Sequence, residues 1–255
     1  MSSAASPGPH AGSSHVPPGT PVDPRHSGHA HLVVLHPPFA APLLPDERPT
    51  AAPAHDPEAA RAAALSLSTV AAVRDERGPS RLDHPSSPAS RAELDVVSVA
   101  AWGSTLKITD PALVEDGMLS STLEDEFRSQ RRRHPDARVV AVCERDFGAA
   151  YLKILAAVPG APDLTIEGFD ELETTGDPRA TLAAAGFGLD DLDAEDGPGH
   201  AVDADGIMDH DAFLHMLTGG ALSVYADEER DESTFVVERT EDGEHGIREV
   251  WFPQD

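Results

Sequence analysis

Apolar residues along the chain fall into short blocks separated by Pro, Gly and acidic clusters, and the spacing within each block predicts an element. Val97, Val99 and Ala101 share one parity, Leu106 and Ile108 repeat it, and Gly103-Ser104 lies between. This pattern predicts two strands joined by a tight turn. Ala137 to Cys143, with Val139, Val140 and Val142, reads as a buried strand. Phe147, Ala150, Tyr151, Ile154, Leu155 and Val158 then recur at helical spacing after Asp146, which predicts a capped amphipathic helix lasting to Val158.

Capping chemistry places further helices. Asp56-Pro57-Glu58 opens an Ala-rich helix that runs to about Glu76, with Leu67, Val70 and Val73 as its stripe and Gly78-Pro79 as its end. Ser121 and Glu124 form a capping-box pattern for a helix reaching Arg133, with Leu123 and Phe127 on one face and His134-Pro135 as its stop. Asp177-Pro178 starts another helix around Leu182, ended by Gly186. Phe213, Met216 and Leu217 give a later helix its apolar side, and Ile166, Phe169 and Leu172 a short helical face. The tail predicts three strands, Ala221 to Tyr225, Thr234 to Glu238 and Ile247 to Phe252, with a tight turn at Asp242-Gly243.

These elements predict an α+β fold: a mixed or antiparallel sheet with several helices, preceded by a largely disordered Pro/His-rich segment. Residues 1–55 hold 12 of the 23 Pro and 7 of the 13 His. Their one apolar run, Leu32 to Leu35, suits a short edge strand better than a central one beside so much Pro. The expected organisation is therefore a disordered segment at 1–55, an Ala-rich helix and linker at 56–93, and an acidic α+β domain at 94–255 that divides near 160 if at all. A basic start and adjacent apolar core are both missing, so no secretory signal is expected and a cytoplasmic location is.

Charge narrows the function. The 255 residues carry 45 acidic and 19 basic side chains, a net −26. Residues 160–255 alone hold 26 acidic and 4 basic ones, a net −22, whereas 1–93 and 94–159 are each at −2. Such a balance opposes nucleic-acid binding through repulsion from phosphates. No apolar run approaches the length of a membrane span. One Cys, Cys143, excludes an intrachain disulfide, and its place in an apolar strand makes it a small core residue. Phosphate-loop, dinucleotide, nucleophile-elbow and zincin patterns are absent from the sequence.

Residues Ala201 to Phe213 resemble an EF-hand calcium loop. Asp203 and Asp205 match its third and fifth positions, Gly206 the turn glycine, Ile207 the carbonyl ligand, Met208 the hydrophobic position and Asp209 the ninth. Ala201 replaces the first acidic ligand and Ala212 the bidentate one, while Asp211 sits one residue early. The resemblance implies calcium or another divalent cation held by Asp203, Asp205, Asp209 and Asp211, with no other cofactor. Asp211 and His215 are also four residues apart on one helix face, as a transition-metal pair or an exposed ion pair. His29, His31 and His36 form a second metal-type pattern, set against compositional His in a tail. Arg131 to Arg133 suit the negative end of their helix or an anionic ligand.

The leading functional expectation is a non-enzymatic acidic protein that binds a basic protein surface or serves as an assembly subunit. Asp190, Asp191, Asp193, Glu195 and Asp196 are its candidate contact residues. The rival is a metal-dependent enzyme or degenerate calcium-binding protein built on Asp203 to His215. Acidity that serves only solvation in a saline cytoplasm is the third reading.

Overall fold

A computed structural model describes residues 15–44, 47, 53–81, 87–118, 121–188, 201–202, 209–222 and 230–252. Among the described residues nine strands form one sheet: β1 (Ser27–Leu35), β2 (Val70–Arg81), β3 (Val96–Trp102), β4 (Thr105–Thr109), β5 (Arg138–Asp146), β6 (Ala150–Ala157), β7 (Leu164–Gly168), β8 (Leu172–Thr175) and β9 (Asp231–Arg239). Their spatial order is β2-β9-β3-β4-β1-β5-β6-β7-β8, and every pairing is antiparallel. Five helices accompany them among the described residues: α1 (Pro57–Leu65), α2 (Thr122–Arg133), α3 (Pro178–Ala184), α4 (His210–Thr218) and α5 (Glu241–Trp251). The fold is α+β with an antiparallel sheet.

Strand alternation gives the sheet two different faces. Leu32, Val97, Val99, Ala141 and Phe235 point to the first, where α1, α2 and α5 contribute Ala60, Leu123, Phe127, Ile247 and Trp251 to one core. Val140, Val142, Ile154 and Ile166 point to the second, beneath Leu182 of α3 and Phe213 and Leu217 of α4. Burying each large side chain contributes roughly 1.5–3 kcal/mol, so two packed faces on β5 and β6 anchor the centre of the molecule.

Double-sided burial also explains a misread element. Residues 147–158 are not a helix, because β6 occupies Ala150–Ala157 and Asp146 ends β5. Tyr151 and Leu155 serve the first face while Ile154 and Ala156 serve the second. Apolar side chains demanded on both faces reproduce a helical spacing by coincidence.

Other expectations are corrected by pairing. β1 is a central strand, hydrogen-bonded to β4 and β5, so Leu32 and Val34 are fully buried and the edge-strand expectation fails. The first helix stops at Leu65, with Ser66 donating back to Ala63, and Val70 onward forms the edge strand β2 where a helix and linker were expected. An edge position tolerates Gly78 and Pro79. Ile166 and Leu172 lie on the β7–β8 hairpin, not a helix. At the C-terminus, Glu241–Trp251 is helical where a turn and strand were expected. Thr240 Oγ1 accepts the Gly243 amide at 3.1 Å as its cap, and Glu241, Asp242 and Glu244 suit its positive end. Gly243 disguised this helix. A Cβ there would stand 2.5 Å from the Thr69 carbonyl oxygen, so the glycine marks close packing, not a turn. The expected strand at 221–225 lies mostly outside the described residues.

Candidate functional site

The strand ends opposite the β1–β4 contact open into a cleft of about 760 Å³, lined by the start of β1, the β5–β6 turn region, the β7–β8 hairpin and the first turn of α4. Register brings these together: His29 pairs with Glu144, Glu144 with Leu152, and Leu152 with Gly168. A Cβ on Gly168 would stand 2.1 Å from the Glu171 carbonyl oxygen, so only glycine permits the tight three-residue turn that projects Phe169 and Asp170. Asp209 caps α4 by accepting the Ala212 amide at 2.9 Å, which holds His210 and Asp211 on the opposite rim.

Two kinds of wall result. Phe169 remains 39% exposed, with the Tyr151 ring 5.3 Å away and the Phe147 ring at 6.3 Å. The carboxylates of Glu144, Asp146, Asp170, Asp209 and Asp211 also line the cleft, Glu144 following Val140 and Val142 on the second sheet face while Tyr151 belongs to the first. Among the described residues none of the five forms an ion pair with Lys or Arg; Glu144 approaches only His29, at 3.7 Å. Arg145 also lines the cleft, but its guanidinium lies over the Phe147 and Trp251 rings and donates to the Val250 carbonyl. The open cleft is thus a concave, electronegative surface with an apolar platform.

A polar track leads inward from it. The His29 and His31 rings lie 4.8 Å apart, and His31 Nδ1 is 2.8 Å from the Thr109 hydroxyl. Thr109 pairs across the ladder with Ser98, whose hydroxyl is 3.1 Å from that of Thr234.

Behind Tyr151 is a buried ionic network on the first sheet face. Tyr151 donates to Glu167 at 2.6 Å, and Lys153 donates to Glu115 at 2.9 Å while approaching Glu124 at 3.4 Å and Glu167 at 3.6 Å. The other oxygen of Glu115 accepts the Leu123 and Glu124 amides, so this buried carboxylate caps α2 in place of Ser121, whose hydroxyl turns to Asp125. Burial raises the Glu115 carboxyl above its ordinary range, against the opposing pull of Lys153 and the two amides. For Lys153, burial is outweighed by Glu115, Glu167 and Glu124, which together hold the ammonium above the usual lysine value. Burial, then the Glu167 contact, pushes the Tyr151 phenol up.

The structure sorts the residues singled out in the sequence. Asp209 and Asp211 reach the cleft rim, and so does His29 from the other end of the chain. Asp203 and Asp205 lie outside the described residues, as do Asp190, Asp191, Asp193, Glu195 and Asp196. His215 is buried at 4% exposure while Asp211 is exposed, so they do not form an exposed pair. No three His, Cys, Asp or Glu side chains converge as a metal site among the described residues. Cys143 is buried in β5, and desolvation pushes its thiol up to about 12. Of the arginine triplet, Arg131 pairs with Asp163 and Arg133 donates to Ser66. Sequence reasoning missed Glu144, Tyr151, Phe169 and Asp170. A Gly168-Phe169-Asp170 turn between two β-type runs was the available signal.

By class, the molecule is an α+β protein built on one antiparallel nine-stranded sheet, with an acidic, aromatic-walled cleft at one end of its strands. The chain belongs to DUF6333, a family of unknown function, whose profile matches residues 13–254. No curated protein and no solved structure matches it. Among the described residues no helix is long and apolar enough to cross a membrane.

Proposed function

We propose that the protein is a non-enzymatic binding protein whose acidic C-terminal part docks a basic protein partner, with the cleft as its centre. The observation that carries this reading is the set of five cleft carboxylates without a Lys or Arg ion-pair partner among the described residues, gathered around a concave surface. Carboxylates without a cationic partner attract cations, and a net −22 over residues 160–255 speeds encounter with a positive surface. Asp190, Asp191, Asp193, Glu195 and Asp196 add to that field through their charge.

The test is capture of partners from native extract by the wild-type protein and by a Glu144→Gln/Asp170→Asn/Asp211→Asn variant. The expected result is one or more basic proteins that are retained at low salt, released as salt screens the charges, and lost by the variant. Retention that is indifferent to salt and to the triple substitution contradicts the reading.

A further inference from the structure

We propose that residues 36–44 form a strap across one end of the sheet, fastened to α2 by a His36–His134 contact that opens when acid protonates both rings. The strap leaves the sheet where Leu35 of β1 pairs with Arg138 of β5. Leu35 packs with Val33 on the second face, so His36 falls on the first, which α2 covers. There its ring meets that of His134, the residue that ends α2, edge to face at 4.8 Å. By Phe39 the chain has crossed to the second face, where the Arg138 guanidinium lies over the Phe39 ring at 5.1 Å. Leu44 then packs on the second core. One short segment is thus anchored on both layers, and its titratable side chain is His36.

The surroundings of the two rings make their contact sensitive to charge. Both are half-buried, and among the described residues neither is paired to a carboxylate. The charges acting on His134 are those of His36, from β1, and Arg133, from its own helix. Arg133 is fixed by Ser66 at the end of α1, donating to its hydroxyl at 3.0 Å and its carbonyl at 3.1 Å. From the β5 side, Asp136 is exposed and pairs with neither ring, while Arg138 turns to the second face and donates to the Leu217 and Ala185 carbonyls. The β3–β4 turn offers an uncharged partner, the Ser104 carbonyl, which accepts the His36 amide at 2.8 Å. The negative end of α2 already has Arg131 to Arg133 beside it. Burial, then His36 and Arg133, hold the His134 imidazole below the ordinary histidine range.

Repulsion between the protonated rings moves the strap and not the helix. The His134 backbone is held on both sides, its amide donating to Gln130 at 2.8 Å and its carbonyl accepting the Ala137 amide at 3.1 Å. Pro37 and Pro38 have no amide to donate, so the start of the strap leans on the His36 amide and ring.

The experiment is amide hydrogen exchange of the full chain between about pH 7.5 and about pH 5, a range that spans histidine titration. Rates are corrected for intrinsic exchange, and β5 amides serve as the reference for global opening. Protection of the His36 amide is expected to fall about fourfold or more relative to β5, the factor by which two unit charges about 5 Å apart repel even in water. His36→Gln and His134→Gln are each expected to make that ratio independent of pH. In parallel, the His134 ring resonance is expected to titrate below the ordinary histidine value, and closer to it in His36→Gln. His36 protection that tracks β5 at every pH overturns the proposal. So does a selective fall that persists in both variants, or a His134 titration unmoved by His36→Gln.

Discussion

Glu115 should be the most consequential carboxylate in the chain for stability, although it touches no solvent. Its side chain is fully buried and the Lys153 side chain is 5% exposed. Removing one member of a buried ion pair costs roughly 3–5 kcal/mol, because the other charge is left uncompensated. Lys153 keeps Glu124 and Glu167 within 3.6 Å, which places the loss at the lower end. Glu115→Ala also strips the acceptor from two α2 amides, a capping loss of about 1 kcal/mol. The expected destabilisation is therefore about 3–4 kcal/mol. Glu115→Gln retains an acceptor for the amides and should cost about 2 kcal/mol. Urea denaturation reads both as shifts in midpoint at constant slope. A double-mutant cycle with Lys153→Met should give a coupling of about 1–3 kcal/mol. A Glu115→Ala protein within 1 kcal/mol of wild type, or zero coupling, would refute the cap-and-pair account.

Further expectations follow from the same contacts. Because Lys153 has a raised pKa in the folded state, its contribution is fully present below about 10.5 and is lost as pH rises through the folded value. Stability of the wild type should accordingly fall more steeply above pH 10.5 than that of Lys153→Met, and parallel urea midpoints would contradict this. Cys143 should resist thiol reagents in the native protein at neutral pH and react only on unfolding, since its thiol is pushed up to about 12 and is buried; prompt native labelling would show the strand is not packed as described. Gly168→Ala should destabilise the β7–β8 turn, because a Cβ there would stand 2.1 Å from the Glu171 carbonyl oxygen, and an unchanged urea midpoint would contradict the turn as described. Trp251→Ala should cost roughly 3–5 kcal/mol in urea denaturation, because the ring is 1% exposed and its indole nitrogen donates to the Pro111 carbonyl; a loss below 1 kcal/mol would contradict the packing of α5.

Local chemistry made part of this molecule readable and non-local pairing hid the rest. The β3–β4 hairpin, β5, α2, α3 and α4 were legible because their signals are short-range: alternation around Gly103, a run of valines, the His134-Pro135 stop, the Asp177 cap and the apolar side of Phe213, Met216 and Leu217. α5 carried Ile247, Val250 and Trp251 at helical spacing and a Thr240 cap, but Asp242-Gly243 argued for a turn, and Gly246 follows in the same stretch. Those glycines answer to close neighbours, Thr69 for Gly243 and the Ala112 carbonyl for Gly246, that no local pattern reveals. The placement of β1 could not be read from its flanking prolines, since centrality depends on partners at least 70 residues away. For the site, Asp209, Asp211 and His29 stood out by spacing, while Glu144, Tyr151 and Phe169 became site residues only through the β1–β5–β6–β7 register.

The most direct test is to follow backbone amide resonances of the full chain as a basic peptide is added at low salt. Perturbations should concentrate at Gly28, His29, Glu144, Phe169, Asp170 and Asp211, and fade as salt is raised. Perturbations centred on the α2 face, or none anywhere while the peptide demonstrably binds, would contradict the assignment of partner docking to this cleft.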